Sequence, residues 1–288
     1  MAVILIADDE EPLRGFVARG LQLDGHTVHA AEDGAEALDM LLQPGALYDL
    51  LLTDMDTGTT QRLSLSNSGV QVAEGAVEHS MPSLSGDARH AVFVARGNLT
   101  SIPDNSAFQI HLRDRVAHTT TLLSLNAQGQ AGNNHSSEPS LSRNGRYVVF
   151  RSFATNLIGG SHSGVFRLDR SSGQLLAIPT PPNSFACSMP TVSNRGDVGF
   201  LCSDSPGSGR QAWLFRAPSS LFLLSTNTGG SVSNGVVESA HAIGESGTLM
   251  AFSTTATDIV ANDTNGTADV FVVADVDRAV QIFSDGFE

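Results

Sequence analysis

A chain of 288 residues that is 41% hydrophobic and only 16% charged can bury a sizeable core, and its wealth of Gly, Ser, Thr and Asn favours turn-rich β structure. A formal charge of -14 argues against a nucleic-acid-binding surface. All sixteen basic residues are arginine, so any mechanism that needs a lysine ammonium is excluded.

The charge is uneven: residues 1–55 hold eleven acids and two arginines. Val3–Ala7 is a continuous apolar run, as in a strand covered on both faces. Asp8, Asp9, Glu10 and Glu11 precede Pro12, a proline near a helix start with acids at its positive end. Leu13, Phe16, Val17, Gly20 and Leu21 recur at helical spacing up to the break at Gly25. Thr27–Ala31 reads as a short strand. Asp33 caps a second helix with Ala35, Leu38, Leu41 and Leu42 inward, stopped by Pro44-Gly45. Residues 48–53 form a third apolar strand that ends at Asp54. The expectation is β-α-β-α-β, with acids at the carboxyl ends of the first and third strands, where open α/β sheets bind ligands. Three convergent carboxylates would suit Mg²⁺.

The pattern ILIADDE…YDLLLTD resembles the first half of a two-component receiver domain. The resemblance implies that Asp54 is the phospho-acceptor and that Asp8 and Asp9 hold Mg²⁺ together with the main-chain carbonyl of Asp56. It also implies a sensor histidine kinase as partner. The match covers about 55 residues; the Met-Pro-x-x-Asp-Gly turn, the later strands and helices, the switch Ser/Thr and the lysine of a full receiver do not follow.

From Asp56 onward the pattern changes to short strands separated by Gly, Ser, Asn and Asp. Four segments align: MPSLSGDARHAVFVA, EPSLSRNGRYVVFRS, MPTVSNRGDVGFLCS and AHAIGESGTLMAFST. Ser85, Ser142, Ser193 and Gly244 are equivalent in them. Each segment reads as strand, polar turn, strand. A third strand follows at 108–113, 164–168, 211–216 or 269–273, and a fourth at 121–125, 174–179, 221–225 or 279–283. One more such strand, 61–65, precedes the first hairpin. Four antiparallel strands in about 50 residues is the signature of a propeller blade. Residues 143–178 and 254–272 are similar to the TolB-like or WD40-like repeats of bacterial exported proteins. The expected fold is mainly β: a four-bladed propeller, not necessarily closed, over 56–288, behind a truncated receiver-like α/β segment over 1–55. Because LLLTD can serve as the third strand of either pattern, a chimeric join near Met55 is expected.

Cys187 and Cys202 flank the turn 194–197. If Ser193 pairs with Val198, residue 187 lies nearly opposite 204, so a cross-strand disulfide is possible; two buried thiols are the alternative. A disulfide would favour an oxidising compartment. Asp263, Asn265 and Asp269 have the look of a cation loop without the later bidentate glutamate, and Asx and Gly turn chemistry explains them equally well. No H-E-x-x-H and no G-x-S-x-G occurs, so no enzyme is expected. No apolar run approaches the roughly 18–20 residues of a membrane span. MAVILIADDEEP lacks a basic n-region, so the chain as written is expected in the cytoplasm. Three readings follow: a non-catalytic binding or scaffold propeller with a protein or glycan partner, a phosphorelay protein using Asp54 and Mg²⁺, or a recombination product without evolved function.

Overall fold

The computed structural model describes residues 3–7, 11–23, 27–32, 51–53, 60–71, 82–103, 105–159, 163–203, 209–274 and 281–283. Strands dominate, as the alternating and β-branched segments require.

At the start, β1 (Val3–Ala7), α1 (Glu11–Leu23) and β2 (Thr27–Ala31) form a β-α-β unit, with β1 and β2 parallel from Val3↔Thr27 to Ala7↔Ala31. This agrees with the expectation from the apolar run and Pro12. The second expected helix lies outside the described residues. The third strand follows the other pattern. Strand β3 (Leu51–Thr53) pairs antiparallel with β4 (Thr60–Arg62), in the register Leu51↔Arg62 to Thr53↔Thr60. Among the described residues β1 and β2 make their own two-stranded sheet and β3 and β4 another. For Leu51–Thr53 the blade pattern therefore holds in place of the third strand of one α/β sheet; residues 48–50 lie outside the described residues. A short antiparallel hairpin forms from adjacent chain, whereas joining β1 needs a long crossover.

The repeats build four four-stranded antiparallel sheets, each in sequential order. Blade 1 is β5 (Ser83–Leu84), β6 (His90–Ala95), β7 (Gln109–Asp114) and β8 (Thr119–Leu122). Blade 2 is β9 (Ser136–Leu141), β10 (Tyr147–Ser152), β11 (Gly164–Asp169) and β12 (Gln174–Ala177). Blade 3 is β13 (Ala186–Val192), β14 (Val198–Ser203), β15 (Arg210–Arg216) and β16 (Ser220–Leu223). Blade 4 is β17 (Val237–Ile243), β18 (Leu249–Thr254), β19 (Asp269–Ala274) and β20 (Gln281–Phe283). In blades 1 to 3 the fourth strands end earlier than the sequence implies, because the residues after them turn away. Ser124 and Ser225 accept hydrogen bonds from the N–H of Ile110 and Ala212 at 3.1 Å, and their hydroxyls donate to Gln109 and Gln211 at 2.5 Å. The β3–β4 hairpin matches the outer two strands of a blade, so an outer half-blade precedes the four expected. Ser64 is buried like Ser124 and Ser225, but its hydroxyl has no hydrogen-bond partner among the described residues.

Successive blades stack through apolar faces. Val92, Val94, Ile110 and Leu112 of blade 1 meet Val148, Phe150 and Phe166 of blade 2. Tyr147, Val149 and Val165 of blade 2 meet Val198, Phe200 and Phe215 of blade 3. Leu201, Ala212 and Leu214 of blade 3 meet Met250, Phe252, Phe271 and Val273 of blade 4. Both faces of a blade are thus needed, which is why β6, β10 and β14 read as near-continuous apolar runs.

The inner hairpin turns carry one residue in the left-handed region: Gly145 (φ 73°), Gly196 (φ 87°) and Gly247 (φ 73°), but Ala88 (φ 53°) in blade 1. A side chain there costs about 1 kcal/mol. Ala88→Gly is therefore expected to raise the urea midpoint of unfolding by the equivalent of about 1 kcal/mol. An unchanged or lower midpoint would show that the turn does not bear this strain.

Candidate functional site: the axial mouth

The turns that open with Ser85, Ser142, Ser193 and Gly244 come together at one end of the stack. Serine recurs there for a local reason. Ser85 Oγ accepts the His90 N–H at 3.0 Å and donates to Asp87 Oδ1 at 2.5 Å. Ser142 Oγ accepts the Tyr147 N–H at 2.8 Å and donates to Asn144 Oδ1 at 2.8 Å. Ser193 Oγ accepts the Asp197 N–H at 3.1 Å. These bonds satisfy turn groups that the strands cannot reach.

The next residue of each turn is Gly86, Arg143, Asn194 or Glu245, and these link the blades in series. The Gly86 N–H donates to the Arg143 carbonyl at 2.7 Å. The Asn144 N–H donates to Asn194 Oδ1 at 2.7 Å. The Asn194 N–H donates to the Glu245 carbonyl at 2.8 Å, and its side-chain amide donates to Glu245 Oε2 at 3.2 Å. Arg143 Nε then lies 3.0 Å from Glu245 Oε1, joining blade 2 to blade 4 across the mouth. A Cβ on Gly86 would lie 2.4 Å from Arg143 Cγ, so the glycine leaves the room in which this arginine lies. Below the turns is a cavity of about 440 Å³, lined by Leu84, Ser140, Leu141, Thr191, Val192 and Ile243 of the four inner strands, a mixture of polar and apolar groups, and rimmed by Arg143 and Glu245. A mixed polar and apolar floor under a charged rim can take a small side chain or a sugar while the rim fixes polar groups.

Around the mouth, ion pairs brace the turns. Arg89 holds Asp114 through Nη2 at 2.8 Å and Nε at 3.1 Å. Arg146 holds Asp169 at 2.7 and 3.0 Å. Each carboxylate also caps the following turn: Asp114 Oδ1 accepts the N–H of Val116 and Ala117, and Asp169 Oδ1 that of Ser171. The arginine hydrogen bond is the main cause, and both carboxyls sit well below the usual carboxylate range. Blade 3 reverses the pair: Asp197 is on the inner turn, with Arg216 Nε 3.6 Å away. Burial pushes its carboxyl up, against the pull of Arg216.

The signs differ accordingly. Asp114 and Asp169 stabilise the fold above the unfolded carboxyl range near about 4 and lose that contribution as pH falls through their depressed folded values. Asp197 contributes most below that range and loses its contribution as pH rises through its raised folded value. The doubly substituted Asp114→Asn, Asp169→Asn protein is expected to show a flatter fall of stability between about pH 4 and pH 2. Parallel acid-unfolding curves for the two proteins would contradict this.

Asp8, Asp9, Asp54 and Asp56 lie outside the described residues. Cys187 and Cys202 are joined in a disulfide. The two face each other directly, Cys187↔Cys202, because the turn closes at Val192↔Val198 and β13 is bulged between Ser188 and Thr191. The expected partner, residue 204, is corrected by these two features. Met189, with φ 53° ahead of Pro190, marks the bulge. Glu138 takes the same conformation in blade 2, and its Oε2 accepts the Met189 N–H at 2.5 Å. In the expected cation loop, the Asn265 amide donates to both oxygens of Asp269 at 3.2 and 3.1 Å, while Asn265 Oδ1 accepts the Thr267 N–H at 2.9 Å. That is Asx-turn chemistry. Among the described residues, no three His, Cys, Asp or Glu side chains group as a metal site.

Sequence reading missed Arg143, Asn194 and Glu245. Their signal is positional: each follows the residue that sets the repeat. A second cleft, of about 220 Å³, lies between blades 2 and 3 beside Cys187 and Arg151. Exposed Phe153 and Phe185 flank it, with the Arg151 guanidinium 4.5 Å from the Phe153 ring centre.

No protein-family model matches the chain. The sensor kinase CckA of Brucella abortus is 37% identical over 54 residues, 19% of this chain, which spans 6% of that kinase's length. Among solved structures, TolB from Acinetobacter baumannii superposes with a TM-score of 0.47 at 16% identity, covering 85% of this chain and 50% of TolB. TolB from Agrobacterium tumefaciens gives 0.46 at 15%, covering 84% and 81%. An oligogalacturonate lyase from Vibrio parahaemolyticus gives 0.48 at 10%, covering 83% and 62%. The chain's own four sheets bring their inner turns together around one cavity.

Proposed function

We propose that the chain is a non-catalytic binding or scaffold propeller, and that its contact region is the axial mouth with the polar turns around it. The observation that carries this reading is the convergence of four equivalent turns, linked in series, over one cavity with an Arg143–Glu245 rim. Propeller mouths gather loops from several blades on a rigid base, which suits recognition of a protein or glycan. The two partner classes differ in what they need. A glycan uses the paired rim charges and the mixed floor, and a protein covers the whole turn face.

The Cys187–Cys202 disulfide favours an oxidising compartment as the place of work. None of the described helices is long and apolar enough to cross a membrane.

The test is a glycan array and a peptide array probed with the whole chain, then repeated with the Arg143→Ala, Glu245→Ala double variant. Binding that drops at least about tenfold, a difference of about 1.4 kcal/mol, in a variant with an unchanged melting curve supports the mouth. Full binding by the variant would place the contact elsewhere.

The 54-residue match to a sensor kinase favours a second reading. In it Asp54 accepts a phosphoryl group from a histidine kinase, with Mg²⁺ held by Asp8, Asp9 and the Asp56 carbonyl. The β1-α1-β2 unit is consistent with it, and the pairing of β3 into a blade-like hairpin counts against it. Incubation with a small-molecule phosphodonor and Mg²⁺, followed by intact-mass spectrometry, decides. A single phosphate adduct absent from Asp54→Asn supports it, and no adduct in the folded chain removes it. The third reading, a recombination product without evolved function, is favoured if both the array and the phosphodonor experiments are silent.

A further inference from the structure

Most arginines at the mouth end of the stack have the ends of their guanidinium groups engaged. Arg89 and Arg146 hold Asp114 and Asp169 through Nη2 and Nε. Arg115 Nη1 donates to the Ala88 carbonyl at 2.8 Å, Arg167 Nη1 to that of Gly196 at 2.6 Å and Arg216 Nη2 to that of Gly247 at 2.9 Å. Arg170 Nη1 donates to the Gly145 carbonyl. Arg143 differs. Its Nε faces Glu245 Oε1 at 3.0 Å, its side chain is 66% exposed, and its Nη1 and Nη2 hydrogen-bond to no group among the described residues.

Arg143 is nevertheless held in place. Glu245 pairs with it across the mouth, and the missing side chain at Gly86 leaves the space in which its Cγ, Cδ and Nε lie. Asn194 in turn donates to Glu245 Oε2 at 3.2 Å. A guanidinium fixed at Nε with both terminal nitrogens open is a planar fork, and that shape matches the two oxygens of one carboxylate. The cavity beside it decides what carries the carboxylate. Leu84, Leu141, Val192 and Ile243 share its lining with the hydroxyl residues Ser140 and Thr191, and among the described residues no aromatic ring lines it. A sugar ring there would bury several hydroxyls against few partners, and each one left unpaired costs binding. An aliphatic side chain needs no such partners, and about 440 Å³ has room for one with part of its backbone.

We propose that the mouth takes the free C-terminus of a peptide, with the terminal carboxylate on Nη1 and Nη2 of Arg143 and an aliphatic last side chain in the cavity. Capture of a C-terminal carboxylate is a recurring mode of peptide recognition. Glu245 sits at the Nε side of the guanidinium and leaves the far end to the ligand. This assignment rests on the mouth as the contact region and gives that region a ligand class.

The probes are fluorescein-labelled peptides Gly-Ser-Gly-Ser-Gly-X, with alanine, valine or leucine as X, each made as the free acid and as the C-terminal amide. They are titrated with the whole chain by fluorescence anisotropy. The valine or leucine acid is expected to bind at least about tenfold more tightly than its amide. Arg143→Lys keeps the charge and loses the fork. It is expected to weaken acid binding at least about fivefold with an unchanged melting curve, since the side chain lies on the surface. No binding of any acid, or equal binding of acid and amide, would overturn the proposal. Equal binding that is lost in the Arg143→Ala, Glu245→Ala variant would overturn it while leaving the mouth as the contact region. Acid-selective binding unchanged in both variants would place the carboxylate elsewhere and remove the mouth with it.

Discussion

Replacing Phe166 with alanine is expected to remove about 3–5 kcal/mol of stability, the usual loss for a large aromatic deleted from a packed core. Phe166 is fully buried. Its ring stacks on Phe150 with centroids 5.7 Å apart, and both belong to the cluster that joins blade 1 to blade 2. The deletion therefore leaves a cavity at the joint between sheets, where β11 and β10 are held on both sides and cannot collapse inward. Urea unfolding by circular dichroism measures it. Val270→Ala serves as comparison, because an exposed residue is expected to stay within about 0.5 kcal/mol. A Phe166→Ala midpoint close to that of Val270→Ala would mean that blades 1 and 2 do not pack as described.

Loss of the Cys187–Cys202 disulfide comes next in size. The bond closes a loop of sequence separation 15, for which the chain-entropy estimate is about 3 kcal/mol. It ties β13 to β14 beside the bulge at Met189, where the register shifts between Ser188 and Thr191. Cys202 is fully buried and Cys187 nearly so, so a double Cys→Ala variant tests the bond without leaving buried thiols. The expected result is a melting temperature lower by several degrees, with the native circular dichroism kept. An unchanged melting temperature would show that the hairpin is already as constrained without the bond.

Much of the fold was legible because its signals are local. The Ser-x-x-Gly turns of blades 2 and 3 announce both the hairpin and the repeat, through an oxygen that caps the turn and a glycine in the left-handed region. The apolar runs at 90–95, 147–152 and 198–203 announce sheets covered on two faces. Pro12 and the period of Leu13, Phe16 and Val17 announce α1. Other features depend on relations between distant residues. The direct opposition of Cys187 and Cys202 needs a bulge set by Met189 and Pro190, which shifts register by a residue and is not evident from spacing. The mouth residues Arg143, Asn194 and Glu245 differ in chemistry from blade to blade, so they share a place without sharing a residue type. The exposure of Val270 is not evident in sequence, since it has the same apolar character as its buried counterparts Ile110, Val165 and Ala212.

The stretch 50–65 shows how two local signals can compete. Leu51–Thr53 is apolar enough for either sheet, and the hairpin to Thr60–Arg62 prevails because its partner is a few residues away. Ser64 records the consequence: it lies where Ser124 and Ser225 donate to a glutamine of the third strand, yet has no partner among the described residues.

The most direct measurement is a cross-link over the mouth. Arg143→Cys and Glu245→Cys, in the chain with its native disulfide intact, would be treated with a short bis-thiol reagent and digested. Their side chains approach to 3.0 Å from blades far apart in sequence. Efficient intramolecular linkage of 143 to 245, and none for a pair made at 143 and 258, is the result expected if four blades gather their inner turns around one axis. Linkage of both pairs alike, or of neither, would contradict that arrangement and the binding mouth with it.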